Sequence, residues 1–160
     1  MSRVLTIRPM TPSNPALANL DDVVSRTLSY FDGPGRTNKA RIDQWHARDV
    51  LMHFVYFHEA TAWGIQSVGV GGPVWTVPAD WDTINEICRI LHEGETLDEL
   101  MGQIRQAHAR LHRAIANSPD LDRPCLQRPN GTLMTANERV DALTEHWREH
   151  LAELESTASV

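Results

Sequence analysis

A chain of 160 residues, 41% hydrophobic and 22% charged, suits one soluble domain long enough to bury a core without disulfide staples. A formal charge of −6 and the lack of a basic stripe exclude a nucleic-acid partner and an anionic membrane surface from the expected functions. No stretch of eighteen apolar residues occurs, and the start from Met1 to Pro9 is too short and too charged for a secretory h-region, so a cytoplasmic protein is expected.

Pro9, Pro12 and Pro15 keep residues 1–14 from being helical and make them an arm. From Pro15 to about Phe31, apolar residues recur at steps of three and four, the period of an amphipathic helix, which Asp32-Gly33-Pro34-Gly35 stops. A second helix runs from about His46 or Ala47 to Ser67, with Val50, His53, Phe54, Phe57, Ala60, Thr61 and Gly64 on its inner face and a glycine-rich stop at Gly69 to Gly72. That glycine run follows a helix instead of a strand, which argues against phosphate binding. The loop carrying Trp75, Pro78 and Trp81 is expected to pack as a lid over a pocket. Asp82 or Thr83 caps a short helix ending near His92, and Glu93-Gly94-Glu95 is a hinge. Thr96 with Glu99 opens the next helix as a capping box, and Asn117-Ser118-Pro119 ends it. Pro124, Pro129 and Gly131 keep the following stretch irregular, with Asn130-Gly131-Thr132 as a turn, before a last helix over about 135–155 begins at a Thr135–Glu138 capping box. No strand is expected. The reading is an all-α four-helix bundle over 15–156 with an interrupted third helix, and a tail at 157–160. Cys88 and Cys125 are expected to be reduced structural thiols.

Selection among eight histidines rests on position. His146 and His150, four apart, project from one helix face and can reach one ion. Rim histidines bonded to carboxylates are an equal reading of that pair alone. His53 points inward from a helix that a bundle can place opposite, and three ligands plus an open position is the usual arrangement of a catalytic divalent metal. His108 and His112 form a competing pair, with His108 expected in the core and His112 solvated. His58 lies about 140° around the helix from His53 and is expected to be exposed. His46 reads as a helix-start residue and His92 as a last-turn one. His146-Trp147-Arg148-Glu149-His150 also spells an inverzincin string, but those proteases need a downstream acidic ligand and a larger fold.

Three segments together resemble the DinB-like superfamily of metal-binding four-helix bundles: Trp45 to His53, Asp82-Thr83-Ile84-Asn85-Glu86, and Glu145 to His150. The family includes thiol-dependent transferases and isomerases and small hydrolases of the colibactin-resistance kind. The resemblance implies up-down-down-up order with His53, His146 and His150 as ligands to a divalent ion, zinc or nickel first and iron next. Such an ion acidifies a low-molecular-weight thiol or a water, so transfer and hydrolysis need the same histidines. Phe57, Asn85 and Arg89 are candidates for lining the open side, with packing and capping as their other reading, and Glu145 and Glu149 are expected to be solvated or to support the histidines. The expected partner is a small electrophilic substrate, and family habit suggests a homodimer. The chain ends soon after His150, so the two-domain maleylpyruvate isomerase activity is not expected. A non-catalytic bundle that binds a small molecule is the reading from another functional class.

Overall fold

The computed structural model describes residues 14–42 and 45–157, so the expected arm, apart from Asn14, and residues 158–160 lie outside the described residues. The chain is mainly helical. Helix α1 spans Pro15–Asp32, α2 Val50–Gly69, α3 Trp81–Leu91, α4 Leu97–Asn117 and α5 Ala136–Thr157, with single 3-10 turns at Pro34–Thr37 and Ala47–Asp49. Their ends follow capping chemistry. The Asn14 side chain accepts hydrogen bonds from the amides of Ala16 and Leu17. Thr96 and Glu99 exchange side-chain and backbone bonds of 3.3 and 2.7 Å, and Thr135 and Glu138 do the same at 3.2 and 2.8 Å. Each box satisfies two of the donors that a helix N-terminus leaves unpaired. The cap of α3 is Asp80, not Asp82 or Thr83, because the Asp80 carboxylate accepts from both the amide and the hydroxyl of Thr83. Asp82 is thereby released from capping.

Helix α2 is covered on nearly every side. It packs chiefly against α4, with further contacts to α3 and α5, while α1 packs chiefly against α5. Met52, Val55 and Ala62 are buried although they lie off the inner face expected of α2. A helix that is apolar all round belongs in the centre of a fold. Leu20, Val24 and Phe31 from α1, Leu100, Ile104 and Leu111 from α4, and Val140, Leu143, Trp147 and Leu154 from α5 complete the core. The pairing of α1 with α5 is fixed at both ends, by Asn14 donating to Asn137 and by the Tyr30 hydroxyl donating to the Leu154 carbonyl.

Strands do occur, contrary to the expectation. β1 (Arg41–Ile42) pairs antiparallel with β2 (Trp45–His46). β4 (Pro124–Gln127) lies between β3 (Trp75–Thr76), to which it is parallel, and β5 (Leu133–Thr135), to which it is antiparallel. The turn between β4 and β5 is the expected one, with Gly131 at φ 86° and Asn130 accepting from the Thr132 amide. This sheet seats on α2 at Gly64, where a Cβ would overlap the Cys125 carbonyl oxygen and press on Trp75. Neither neighbour is the end of a flexible side chain. Gly64→Ala is therefore expected to lower stability by roughly 1–3 kcal/mol in urea unfolding, and an unchanged midpoint would show that the sheet is free to lift off α2. Cys88 and Cys125 are free and buried as expected, and burial pushes both thiols up to about 11, where they are inert. Among the described residues no helix is long and apolar enough to cross a membrane.

Candidate metal centre

The α2 and α5 helices bring His53, His146 and His150 together. One ligand atom from each lies within 4.8 Å of the others, and the ring centroids are 4.8–5.1 Å apart. Trp45, Phe54 and Phe57 wall the cluster with aromatic edges. His150 Nδ1 sits 2.8 Å from a Glu153 carboxylate oxygen. The carboxylate can only accept, so Nδ1 carries the proton and Nε2 presents its lone pair. That lone pair faces His146 Nε2 at 3.1 Å. Two imidazole nitrogens on one tetrahedral zinc sit about 3.3 Å apart, so this pair is already spaced to share an ion. His53 is 3% exposed, and neither of its nitrogens has a hydrogen-bond partner among the described residues. A buried imidazole left without any partner is costly, and an ion between the three rings would satisfy it. The cluster is able to hold one metal ion, and its donor set of neutral imidazoles fits zinc, nickel or iron.

The competing pair has a different environment. His108 and His112 on α4 both point Nε2 at one oxygen of Asp21 on α1, at 2.9 and 2.6 Å. His112, expected to be solvated, keeps 39% of its side chain exposed while it contacts this carboxylate, and His108 is partly buried. The geometry would admit a metal ion, but here a carboxylate already answers both Nε2 atoms. His58 reverses its expectation outright: it is fully buried, its Nε2 accepts the indole N–H of Trp147 at 3.0 Å, and its ring meets His108. The reason is the central position of α2, whose face away from His53 is covered as well. His46 caps the turn before α2 by donating its amide to Asp49, and His92 ends α3 against Glu95.

Burial is the main cause that lowers the basicity of His53 and of His58 well below the ordinary histidine range, and it brings His146 down to about 4; neighbouring imidazoles add to each shift. Unfolded, the same rings take up protons near pH 6.5. Between about 6.5 and 4 the unfolded chain therefore binds more protons than the folded one, and stability is lost as the pH falls. The metal-free protein is expected to show a melting temperature that is level from pH 8 to 7 and declines through that window. A level profile down to pH 4 would contradict the burial of these rings.

Two cavities meet at the triad. One, of about 330 Å3, is lined by Trp45, His53, Asp82, Asn85, His146 and His150. The other, of about 350 Å3, is lined by Phe57, Trp81, Asn85, Arg128, Arg139, Ala142 and His146. Asn85 lines both cavities and Phe57 the second, and the Asn85 side-chain oxygen is buried without a partner among the described residues. Arg89 does not join them: it pairs with Glu86 and Glu93 and lines a neighbouring cavity of about 630 Å3. Trp81 packs edge-on against Phe57 as part of the expected cover. Glu145 and Glu149 are exposed, and the carboxylate in contact with the cluster is that of Glu153, at His150. Asp82 was read as a cap and not as a site residue, and Glu153, Arg128 and Arg139 were not singled out by sequence reasoning. Two of them had a signal: Glu153 is three residues after His150 and Arg139 seven before His146, spacings that share a helix face.

Fold and site together define a mainly helical protein with a buried trihistidine cluster open to two cavities. No protein-family model, no curated protein and no solved structure matches the chain.

Proposed function

We propose that the protein is a divalent-metal-dependent enzyme of the DinB-like kind, an up-down-down-up bundle that transfers or exchanges a low-molecular-weight thiol on a small electrophilic metabolite or toxin. The observation that carries the metal reading is His53, whose two nitrogens are buried and unpartnered among the described residues, one of them within 4.8 Å of a ligand atom of His146 and of His150. A divalent ion held by three neutral imidazoles would acidify a thiol or a water on its open side. Glu153 would hold His150 in the tautomer that ligates, by keeping the proton on Nδ1. Asp82 and Asn85 line the cavity with the triad and would orient the incoming group. Trp45, Phe54 and Phe57 would exclude bulk water from it. Intact-mass detection of a thiol adduct on candidate electrophiles, with and without metal, tests the reading; metal-independent adduct formation would defeat it. Hydrolysis is the second reading, because an ion held by the same triad would also activate water. Incorporation of oxygen from labelled water without any thiol requirement would favour it.

A further inference from the structure

Two guanidinium groups line the cavity beside His146, and no carboxylate lines it. Arg139 is 7% exposed and has no acidic partner among the described residues. Its one hydrogen bond among the described residues runs from Nε to the Thr61 hydroxyl at 3.1 Å, and that hydroxyl donates in turn to the Phe57 carbonyl at 2.7 Å. The guanidinium is therefore oriented, with its two Nη groups left without a hydrogen-bond partner among the described residues. Its carbon lies 5.4 Å from the centre of the Phe57 ring. Arg128 joins the same wall, its Nε set against the Met134 sulfur. Burial first, and Arg128 next, bring Arg139 down to about 10, which leaves it a cation at neutral pH. Arg36 with Asp98, Arg89 with Glu86 and Arg110 with Glu59 show the carboxylate pairing that Arg139 lacks, although those arginines are far more exposed. Burying a cation without an anion is unfavourable, and an anion entering the cavity would offset that cost.

We propose that this cavity is an oxyanion pocket: Arg139, with Arg128 beside it, binds a carboxylate carried by the substrate, and Phe57 and Trp81 hold the apolar part between that carboxylate and the metal centre. The assignment of the bound molecule as substrate rests on the metal-dependent reading; the anion pocket itself does not. Arg139 and His146 share one face of α5 two turns apart, so a substrate bridging them is held at both ends. A planar carboxylate suits a guanidinium through two parallel hydrogen bonds, and a cavity of about 350 Å3 suits a small molecule.

The test is calorimetric titration of the full chain with benzoate, benzamide and phenyl phosphate, run on the protein as purified and after stripping with phenanthroline, a neutral chelator that does not compete as an anion. Benzoate is expected to bind both preparations and to outbind benzamide by about tenfold or more. Arg139→Met should weaken benzoate by a similar factor with metal content unchanged, and Arg139→Lys, which keeps the charge without the planar fork, should weaken it less. Tighter binding of phenyl phosphate with the same dependence on Arg139 would keep the oxyanion pocket and make phosphate the group it takes. Equal binding of benzoate and benzamide to the unaltered chain, no binding of benzoate, or benzoate binding indifferent to Arg139→Met would overturn the proposal. A chain that holds no metal yet binds benzoate through Arg139 would refute the metal-dependent reading alone.

Discussion

Removing His53 and His150 together by alanine substitution is expected to abolish metal binding and to lower turnover by on the order of a thousandfold or more, the loss that follows when an ion supplying several kcal/mol of transition-state stabilisation is gone. The pair is informative because the two residues come from different helices and because His146 alone cannot hold an ion at a useful affinity. Folding should survive. In the metal-free protein His53 has two buried nitrogens without partners among the described residues, so His53→Leu, which replaces them with hydrocarbon, is expected to raise the melting temperature while metal is lost. Stability rising as function disappears is the behaviour of a site whose residues are kept for binding. A fall in melting temperature on His53→Leu would point to a packing role instead.

Trp147→Ala is the substitution expected to damage the fold most. The ring is fully buried, stacks on Phe54 with centroids 3.7 Å apart and planes 9° apart, and donates its indole N–H to His58. Truncating a buried tryptophan costs about 3–5 kcal/mol, and here it also leaves the His58 Nε2 without its donor. Against a total stability of about 5–15 kcal/mol, that removes a large share of what holds the chain folded. Trp147→Phe, which keeps the stack and drops the N–H, should cost about 1–3 kcal/mol. Urea unfolding of both variants separates stacking from hydrogen bonding. Similar losses in the two would mean that the bond to His58 dominates. Because Phe54 and Trp147 are the neighbours in sequence of His53 and His146, their stack fixes the distance between the helices that carry the cluster, and Trp147→Ala should weaken metal binding as well.

The long helices were legible because each combines a sustained apolar period with local stop and cap chemistry. The Thr96–Glu99 and Thr135–Glu138 boxes needed no tertiary information. The inward placement of His53 was legible for the same reason, since it follows from the phase of Val50, Phe54 and Phe57 on one helix. The strands were not. β3 and β5 have two and three residues, too few for alternation to show, and β3 finds its partner in β4, far along the chain. The burial of His58 escaped because one inner face was assigned to α2, although Met52, Val55 and Ala62 on its other sides marked a helix covered all round. The Asp21 contact that ties His108 and His112 depends on how α1 lies beside α4, which no local pattern in either helix encodes. Arg139 stood next to Val140 on the apolar stripe of α5, and only the cavity beside it distinguishes a buried guanidinium from one that reaches solvent.

The central claim is that His53, His146 and His150 bind one divalent ion, and metal analysis of the chain purified without chelator tests it most directly when run beside two single variants. The account predicts one equivalent of zinc, nickel or iron per chain, lost in His146→Ala and retained in His112→Ala. A chain with no bound metal after incubation with each ion, or an ion that survives His146→Ala and disappears with His112→Ala, would contradict it, and the second result would move the site to the Asp21, His108 and His112 cluster.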